Sequence, residues 1–441
     1  MRHQCIILAD NPGAFVELCG ISALERLLRT LQRLGLTKAI LLSATPELIA
    51  QRLQDASPHR AKVALEIRGR GTGPVTAADV LDAWPNDEEF ILLLRGDRVF
   101  DSRLLQLLDE HDSTAALVDS ASPADLEPLV ASAQNTSCGY FCGAARLSQR
   151  WAKNHAGVFD ETLCREIGNG RVGTLDIASR RWPLASLRRE LRPYWFPAPM
   201  PEKEKIAERV LLDAAQKGAL DFPAMIHAPI ENFLVSRLCQ KAITPNQLTA
   251  ITNIVAWGAT FFFATGQLAL GAILALAVGL LDGLDGKLAR VKIETSNAGK
   301  LEHWLDAFFE NSWWIALAWH FQATGQIPGA FRYLFLLLGA EAIAALSKWS
   351  VIHICGRTLD ELGEFNPVVR FIGARRNIHI WIFALGVLFG IPDQAFKLMV
   401  WWELVTTAVQ IPRAALALWF HGKIWAPGKD QIPVAVPDPD R

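Results

Sequence analysis

Apolar and polar positions follow two different rules along this chain. Up to about residue 195, short apolar runs alternate with segments of helical spacing. QCIILA (4–9), KAILLSA (38–44), KVALEI (62–67), FILLLRGD (90–97) and TAALVDS (114–120) have the length and character of buried strands. ISALERLLRTLQRLG (21–35) repeats its leucines at helical intervals and stops on a glycine, as a helix C-cap does. Residues 74–84 and SRLLQLLDEH (102–111) also read as helices. Strands alternating with helices predict a mostly parallel, three-layer α/β domain over 1–195.

Beyond residue 244 the pattern changes. Leu268–Leu281 contains no charged residue. A bilayer-spanning helix needs about 20 mainly apolar residues. Six stretches approach this: about 248–265, 268–286, 301–322, 328–350, 377–392 and 394–419. They predict an all-α polytopic membrane domain over 244–422, followed by a tail at 423–441. Residues 196–243 read as a connector, with proline-rich PYWFPAPMPEKEK followed by amphipathic EKIAERVLLDAAQKGAL. FLVSRLCQKAIT then mixes apolar residues with Arg237 and Lys241, which predicts a juxtamembrane helix lying at the membrane surface. In TPNQLT, Thr244 is placed as N-cap, Pro245 as first helical residue and Gln247 as the third, completing a capping box.

Composition sharpens this division. Of 441 residues, 51% are hydrophobic, with 15 Trp and 22 Phe. The net charge of −1 gives no reason to expect a nucleic-acid partner. Seven scattered cysteines suit a reducing compartment better than a disulfide framework. Near the N-terminus, Asp10 interrupts an apolar run already too short for a signal peptide. Lys287, Arg290, Lys292 and Lys300 follow the second apolar stretch, and Arg357, Arg370, Arg375 and Arg376 follow the fourth. The opposite turns, ATGQ, ATGQIPG and GIPDQ, contain no lysine or arginine. By loop charge, the expectation is a multi-pass protein of the cell (inner) membrane with the α/β domain on the cytoplasmic side.

The second apolar stretch ends in DGLDGKLAR, from Asp282 to Arg290. On a helix Asp282 and Asp285 share one face, and Gly286 and Ala289 leave space beside it. In GKLEHWLDAFFEN, Glu302, Asp306 and Glu310 recur every four residues and form a second acidic stripe. Facing carboxylates at membrane depth repel and are costly to desolvate. Divalent cations would resolve both problems, and an oxygen-only donor set suits Mg²⁺, Mn²⁺ or Ca²⁺. Such ions bridge to phosphate oxygens, so the pattern predicts phosphoryl transfer at the cytoplasmic end of these helices. Glu341, Lys348 and Glu403 fall inside predicted helices and receive no role.

DGLDGKLAR, eight residues and then Gly299 resembles the signature of the CDP-alcohol phosphatidyltransferase family over roughly 230–420, and TPNQLT looks like the same family. Strict spacing after Gly299 would place the last two acids at His303 and Ala307. A register one residue shorter gives Glu302 and Asp306, and the rival pairing is Asp306 with Glu310. The resemblance implies that Asp282, Asp285 and Glu302 hold two divalent ions, Mg²⁺ or Mn²⁺, against the pyrophosphate of a CDP-linked donor. It implies that Asp306 is a ligand or the base for the acceptor hydroxyl, and that Asp282 and Asp285 share in catalysis. Gly286 and Ala289 would admit the nucleotide, with Arg290 supporting its phosphates or pairing with an acid. Arg370, Arg375 and Arg376 are candidates for an acceptor or lipid phosphate. The implied partners are the donor, an alcohol acceptor (a lipid or an inositol phosphate), membrane lipid and a second copy in a homodimer.

Residues 1–195 resemble, more weakly, a sugar-nucleotide or inositol-phosphate nucleotidyltransferase. Asp97 matches its metal-binding Gly-Asp. The loop that should hold a nucleoside triphosphate reads LADNPGAFVELCG, without arginine or lysine. The expectation is therefore a degenerate domain. The alternatives are a bifunctional enzyme that also makes the CDP-alcohol from CTP, and a non-catalytic membrane scaffold.

Overall fold

The computed structural model describes residues 4–55, 61–85, 88–184, 187, 189–218, 221–241, 243–294, 299–356, 358–359 and 365–424, with side chains at 55, 299–305, 365–367 and 421–424 excluded. It divides into two compact units. The first comprises 1–217 with 236–242 and 289–294; the second comprises 218–235, 243–288 and 295–441.

The first unit is built on an eight-stranded sheet. Its strands lie in the order Gly173–Asp176, Ala115–Asp119, Gly139–Ser148, Phe90–Arg95, Gln4–Leu8, Lys38–Ser43 and Ala64–Gly69, with Asn135–Thr136 paired to Gly139–Ser148. The five strand segments expected from the sequence are all present, and the helices Ala23–Arg33, Ala77–Asp82 and Ser102–Asp109 fall where helical spacing placed them. Gly139–Ser148, which the strand–helix alternation did not disclose, runs antiparallel between Ala115–Asp119 and Phe90–Arg95. Its register shifts between Phe141 and Ala145. Gly143 sits there at φ +89°, and a Cβ would lie 2.9 Å from Arg98 Cγ. That strand therefore needs a residue without a side chain where it passes Arg98.

On one face of the sheet, Ile6, Ile40, Ile91, Leu93 and Val118 pack with Trp84, Trp151 and Phe159. The 289–294 segment is held in this unit by arginines of Ala23–Arg33. Arg26 Nη1 donates to the Val291 carbonyl at 2.6 Å, and Arg29 Nη1 to the Lys292 carbonyl at 2.7 Å. Positive groups satisfying terminal carbonyls are favourable at a helix C-terminus.

The second unit is helical. Its helices are Phe222–Val235 (continuing to Leu238), Pro245–Ala264, Leu268–Leu288 (continuing to Val291), Gly299–Ala323, Ala330–Cys355, Phe365–Ile372, Arg376–Leu388 and Pro392–Ile424. The Pro245–Ala264 helix starts as its sequence dictates. Thr244 accepts from Gln247 N at 3.2 Å, and Gln247 Oε1 accepts from Thr244 N at 3.0 Å. An aromatic core of Phe263, Trp313, Trp314, Phe321, Phe383 and Phe396 joins the helices. Outward-facing positions are also apolar: Ile254 is 73% exposed, Phe335 72% and Leu388 75%. Such a surface suits lipid and not water.

Four of the six expected spans are supported by length and apolarity. Among the described residues, four segments are long and apolar enough to cross a membrane: Pro245–Ala264, Leu268–Val291, Ala330–Cys355 and Val368–Leu388. Helices also occur at the third and sixth expected stretches, but both carry polar groups that lower their apolarity, such as Asp306, Glu310 and Asn311 in one and Glu403, Gln410 and Arg413 in the other.

Candidate functional site

Leu268–Val291 is a continuous helix, so Asp282 and Asp285 do project from one face. Each carboxylate has a specific holder. Asp285, 4% exposed, accepts from Thr249 Oγ1 at 2.7 Å and from Gly286 N at 2.6 Å. Thr249 is the last residue of TPNQLT, one helix earlier. Asp282 Oδ2 accepts from Arg376 Nη2 at 2.6 Å, and the Arg376 guanidinium carbon lies 5.3 Å from the centroid of the Phe309 ring. Gly283 lets the signature helix approach Phe222–Leu238: a Cβ there would lie 2.3 Å from Glu231 Oε1.

The next helix contributes Asp306 and Glu310. Asp306 and Asp282 are close enough to Asp285 for their charges to act on it. Glu310 likewise feels Arg376, Asp306 and Asp282. The side chain of Glu302 lies outside the described residues.

Of these groups, Asp282 and Glu310 face a cavity of about 520 Å³ in the second unit, whereas Asp285 and Asp306 are not among its lining residues. Asp282, Glu310, Asn311, Arg375, Arg376 and Asn377 are among the residues that line it. Of the three arginines picked from the sequence, Arg375 and Arg376 line the cavity and Arg370 does not. Arg376 serves first as the partner of Asp282. Gly286 lies beside Asp285, whose carboxylate accepts from its amide. Ala289 and Arg290 fall in the first unit, where Arg290 Nε donates to the Ala215 carbonyl at 2.8 Å.

Among the wall residues, Asp221, Asn311 and Asn377 escaped the sequence reading, and Glu341, Lys348 and Glu403 were noted there without a role. Asn311 carried a usable signal, since it follows the stripe acid Glu310 directly. The others come from distant helices or, for Asp221, from just before one, and no local spacing links them to DGLDGKLAR. The chemistry of the assembled set is clear. Asp282 and Glu310, from two helices, line the cavity beside Arg375 and Arg376, and carboxylate oxygens are the donor type that suits hard divalent ions.

The first unit places Asp97 differently from an open metal ligand. It is 2% exposed. Its carboxylate accepts from Asn11 Nδ2 at 2.7 Å, Arg95 Nε at 3.1 Å and Arg98 Nη1 at 3.1 Å. Arg95 also pairs with Asp160, and Asp10 with Arg70 at 2.6 Å. The LADNPG loop packs down on this network, for a Cβ at Gly13 would lie 3.3 Å from Asp97 Cβ.

Residues 242–409 match the CDP-alcohol phosphatidyltransferase family. A relative from Rubrobacter xylanophilus described as a bifunctional IPC transferase and DIPP synthase is 24% identical over 414 residues, covering 87% of this chain and 88% of its own. One of the same description from Thermococcus kodakarensis is 29% identical over 230 residues, covering 51% of this chain and 50% of its own. Two solved structures are similar to parts of the chain, each with a TM-score of 0.34. They are the inositol-1-phosphate CTP transferase of T. maritima (14% identity, 47% of this chain, 95% of that one) and the phosphatidylinositol phosphate synthase of Mycobacterium tuberculosis with CDP-DAG bound (19%, 44% and 94%).

Proposed function

From the CDP-alcohol phosphatidyltransferase domain that residues 242–409 form, we propose that this transferase moves a substituted phosphoryl group from a CDP-linked donor to an alcohol, releasing CMP. The observation that carries the reading is the set Asp282, Asp285, Asp306 and Glu310 on two helices, with Asp285 fixed by Thr249 and Asp282 by Arg376. Asp282, Asp285 and Asp306 would hold divalent ions, Mg²⁺ or Mn²⁺, with Glu302 or Glu310 completing the donor set. When bound, such ions neutralise the donor pyrophosphate and make CMP a better leaving group.

The chain's own residues do the rest. Thr249 and the Gly286 amide orient one Asp285 oxygen each, so the carboxylate need not reorganise. Asp306 takes the proton of the attacking hydroxyl. Arg375, beside Arg376 at the start of the Arg376–Leu388 helix, offers a fork for an acceptor or lipid phosphate, with Arg370 as the outer candidate. Gly286 leaves room for the nucleotide. The site opens on the cytoplasmic side of the cell membrane, where the donor nucleotide arrives from water, and the enzyme works as a homodimer.

The acceptor is an inositol phosphate or another polar alcohol, or the acceptor is lipid and the donor a soluble CDP-alcohol. The first unit does not make the donor: its triphosphate loop lacks a base, and Asp97 is already held by two arginines. A bifunctional second reading is favoured by the Rubrobacter xylanophilus relative, whose alignment runs through both halves of the chain. Purified protein offered CDP-diacylglycerol or CDP-inositol with a panel of alcohols tests the proposal. CMP release by the wild type that Asp285→Asn lacks supports it, and equal CMP release by the variant would sink it.

A further inference from the structure

Deeper in the helical unit, three ligating side chains converge from three helices: Glu341 of Ala330–Cys355, His379 of Arg376–Leu388 and Glu403 of Pro392–Ile424. One donor atom from each lies within 4.8 Å of the others. His379 is completely buried, yet neither ring nitrogen has a hydrogen-bond partner. Its Nε2 is 3.6 Å from Glu403 Oε2, too far for a hydrogen bond. Trp314 meets the imidazole edge to face, with ring centroids 5.5 Å apart. Thr407 donates to the other Glu403 oxygen at 3.2 Å, leaving Oε2 toward the histidine. Glu341 is half-buried, and both glutamates border the cavity described above.

A buried imidazole without partners beside two carboxylates is an expensive arrangement at membrane depth. Lys348, two turns along the helix of Glu341, brings one positive charge to the cavity wall but does not satisfy the imidazole nitrogens. A divalent ion between the three groups would meet both needs at once. It would take the imidazole lone pair and balance two carboxylates.

The geometry points to a second metal site, formed by Glu341, His379 and Glu403, that takes a first-row transition ion such as Zn²⁺ and keeps one position open to the cavity. An imidazole ligand separates it from the all-oxygen aspartate site, because nitrogen donors favour transition ions over Mg²⁺ and Ca²⁺. Three protein ligands with a free fourth position is the usual form of a zinc site that meets a substrate or water. The Thr407 contact supplies the outer support such ligands require.

The test uses full-length protein in detergent, stripped with chelator, loaded with ZnCl₂ and desalted. Metal is then counted by mass spectrometry and its ligands read by X-ray absorption. Wild type and Asp285→Asn should each keep about one zinc per chain with one imidazole nitrogen at about 2.0–2.1 Å. His379→Asn should lose both the zinc and the nitrogen shell, and Glu341→Gln should weaken retention at least about tenfold. Zinc lost in Asp285→Asn but kept in His379→Asn would overturn the inference and assign the ion to the aspartates. So would a wild type that holds no zinc. Should His379→Asn not give a monodisperse protein, Glu341→Gln decides, and unchanged zinc affinity in it refutes the site.

Discussion

Thr249 donates a 2.7 Å hydrogen bond to Asp285, tying the first helix of the membrane domain to the second carboxylate of the signature. Thr244, five residues earlier, caps that same helix. One short motif therefore both starts the helix and sets the orientation of a proposed metal ligand 36 residues away. Thr249→Val should leave the fold intact, since the two side chains have nearly the same shape. The metal concentration needed for half-maximal activity should rise about 10–100-fold, the usual cost of losing an outer hydrogen bond to a ligand. Thr249→Ser should restore most of it. A titration of activity against Mg²⁺ reads this, and an unchanged midpoint in Thr249→Val would remove Thr249 from the site.

Gly283 makes a second prediction. A methyl group there meets the Glu231 carboxylate at 2.3 Å. Gly283→Ala should cost roughly 1–3 kcal/mol, the range for overpacking a filled interior. Glu231→Ala in the same chain should recover about 1 kcal/mol or more, as expected for two sites in contact. Thermal unfolding of the four proteins gives the coupling, and simple additivity would mean that the helix relaxes away from the contact.

How much of this was legible in the sequence follows from how local each feature is. The capping box of Thr244 and Gln247 and the shared face of Asp282 and Asp285 depend on neighbours three residues apart, and both were readable. The five predicted strands are contiguous apolar runs, and they too were readable. Gly139–Ser148 was not, because an antiparallel insertion between parallel strands depends on long-range pairing. Arg376 was readable as a cation near the site but not as the partner of Asp282, 94 residues away. Nor could local spacing unite Glu341, His379 and Glu403, which come from three separate helices. Length and apolarity support four of the six expected spans, and polar side chains interrupt the helices at the other two.

The first unit should bind CTP weakly and release no pyrophosphate from it. Asp97 is enclosed by Asn11, Arg95 and Arg98, and the loop before it brings no cation for a triphosphate. A coupled pyrophosphate assay with CTP and inositol phosphate should stay at background in the full chain. Turnover abolished by Asp97→Asn would instead establish the bifunctional reading.

Alkaline pH should loosen this unit. Burial, aided by the charge of Asp109, pushes the Cys5 thiol from 9.0 up to about 12. The folded state thus favours the neutral thiol, and the unfolded chain ionises first. Its contribution is complete below about pH 9 and is lost as pH rises toward 12, at most about 4 kcal/mol. Urea denaturation of the full chain followed by pulse proteolysis, at about pH 8 and about pH 10.5, should show a fall that Cys5→Ala flattens. An equal fall in Cys5→Ala would assign the effect to other groups.

The most direct measurement of the central claim is stoichiometry. With a productive donor and alcohol, CMP and the new phosphodiester should appear one for one, stop on chelation and resume when Mg²⁺ or Mn²⁺ is restored. CMP formed without the phosphodiester, or undiminished after chelation, would contradict metal-dependent transfer at Asp282, Asp285 and Asp306.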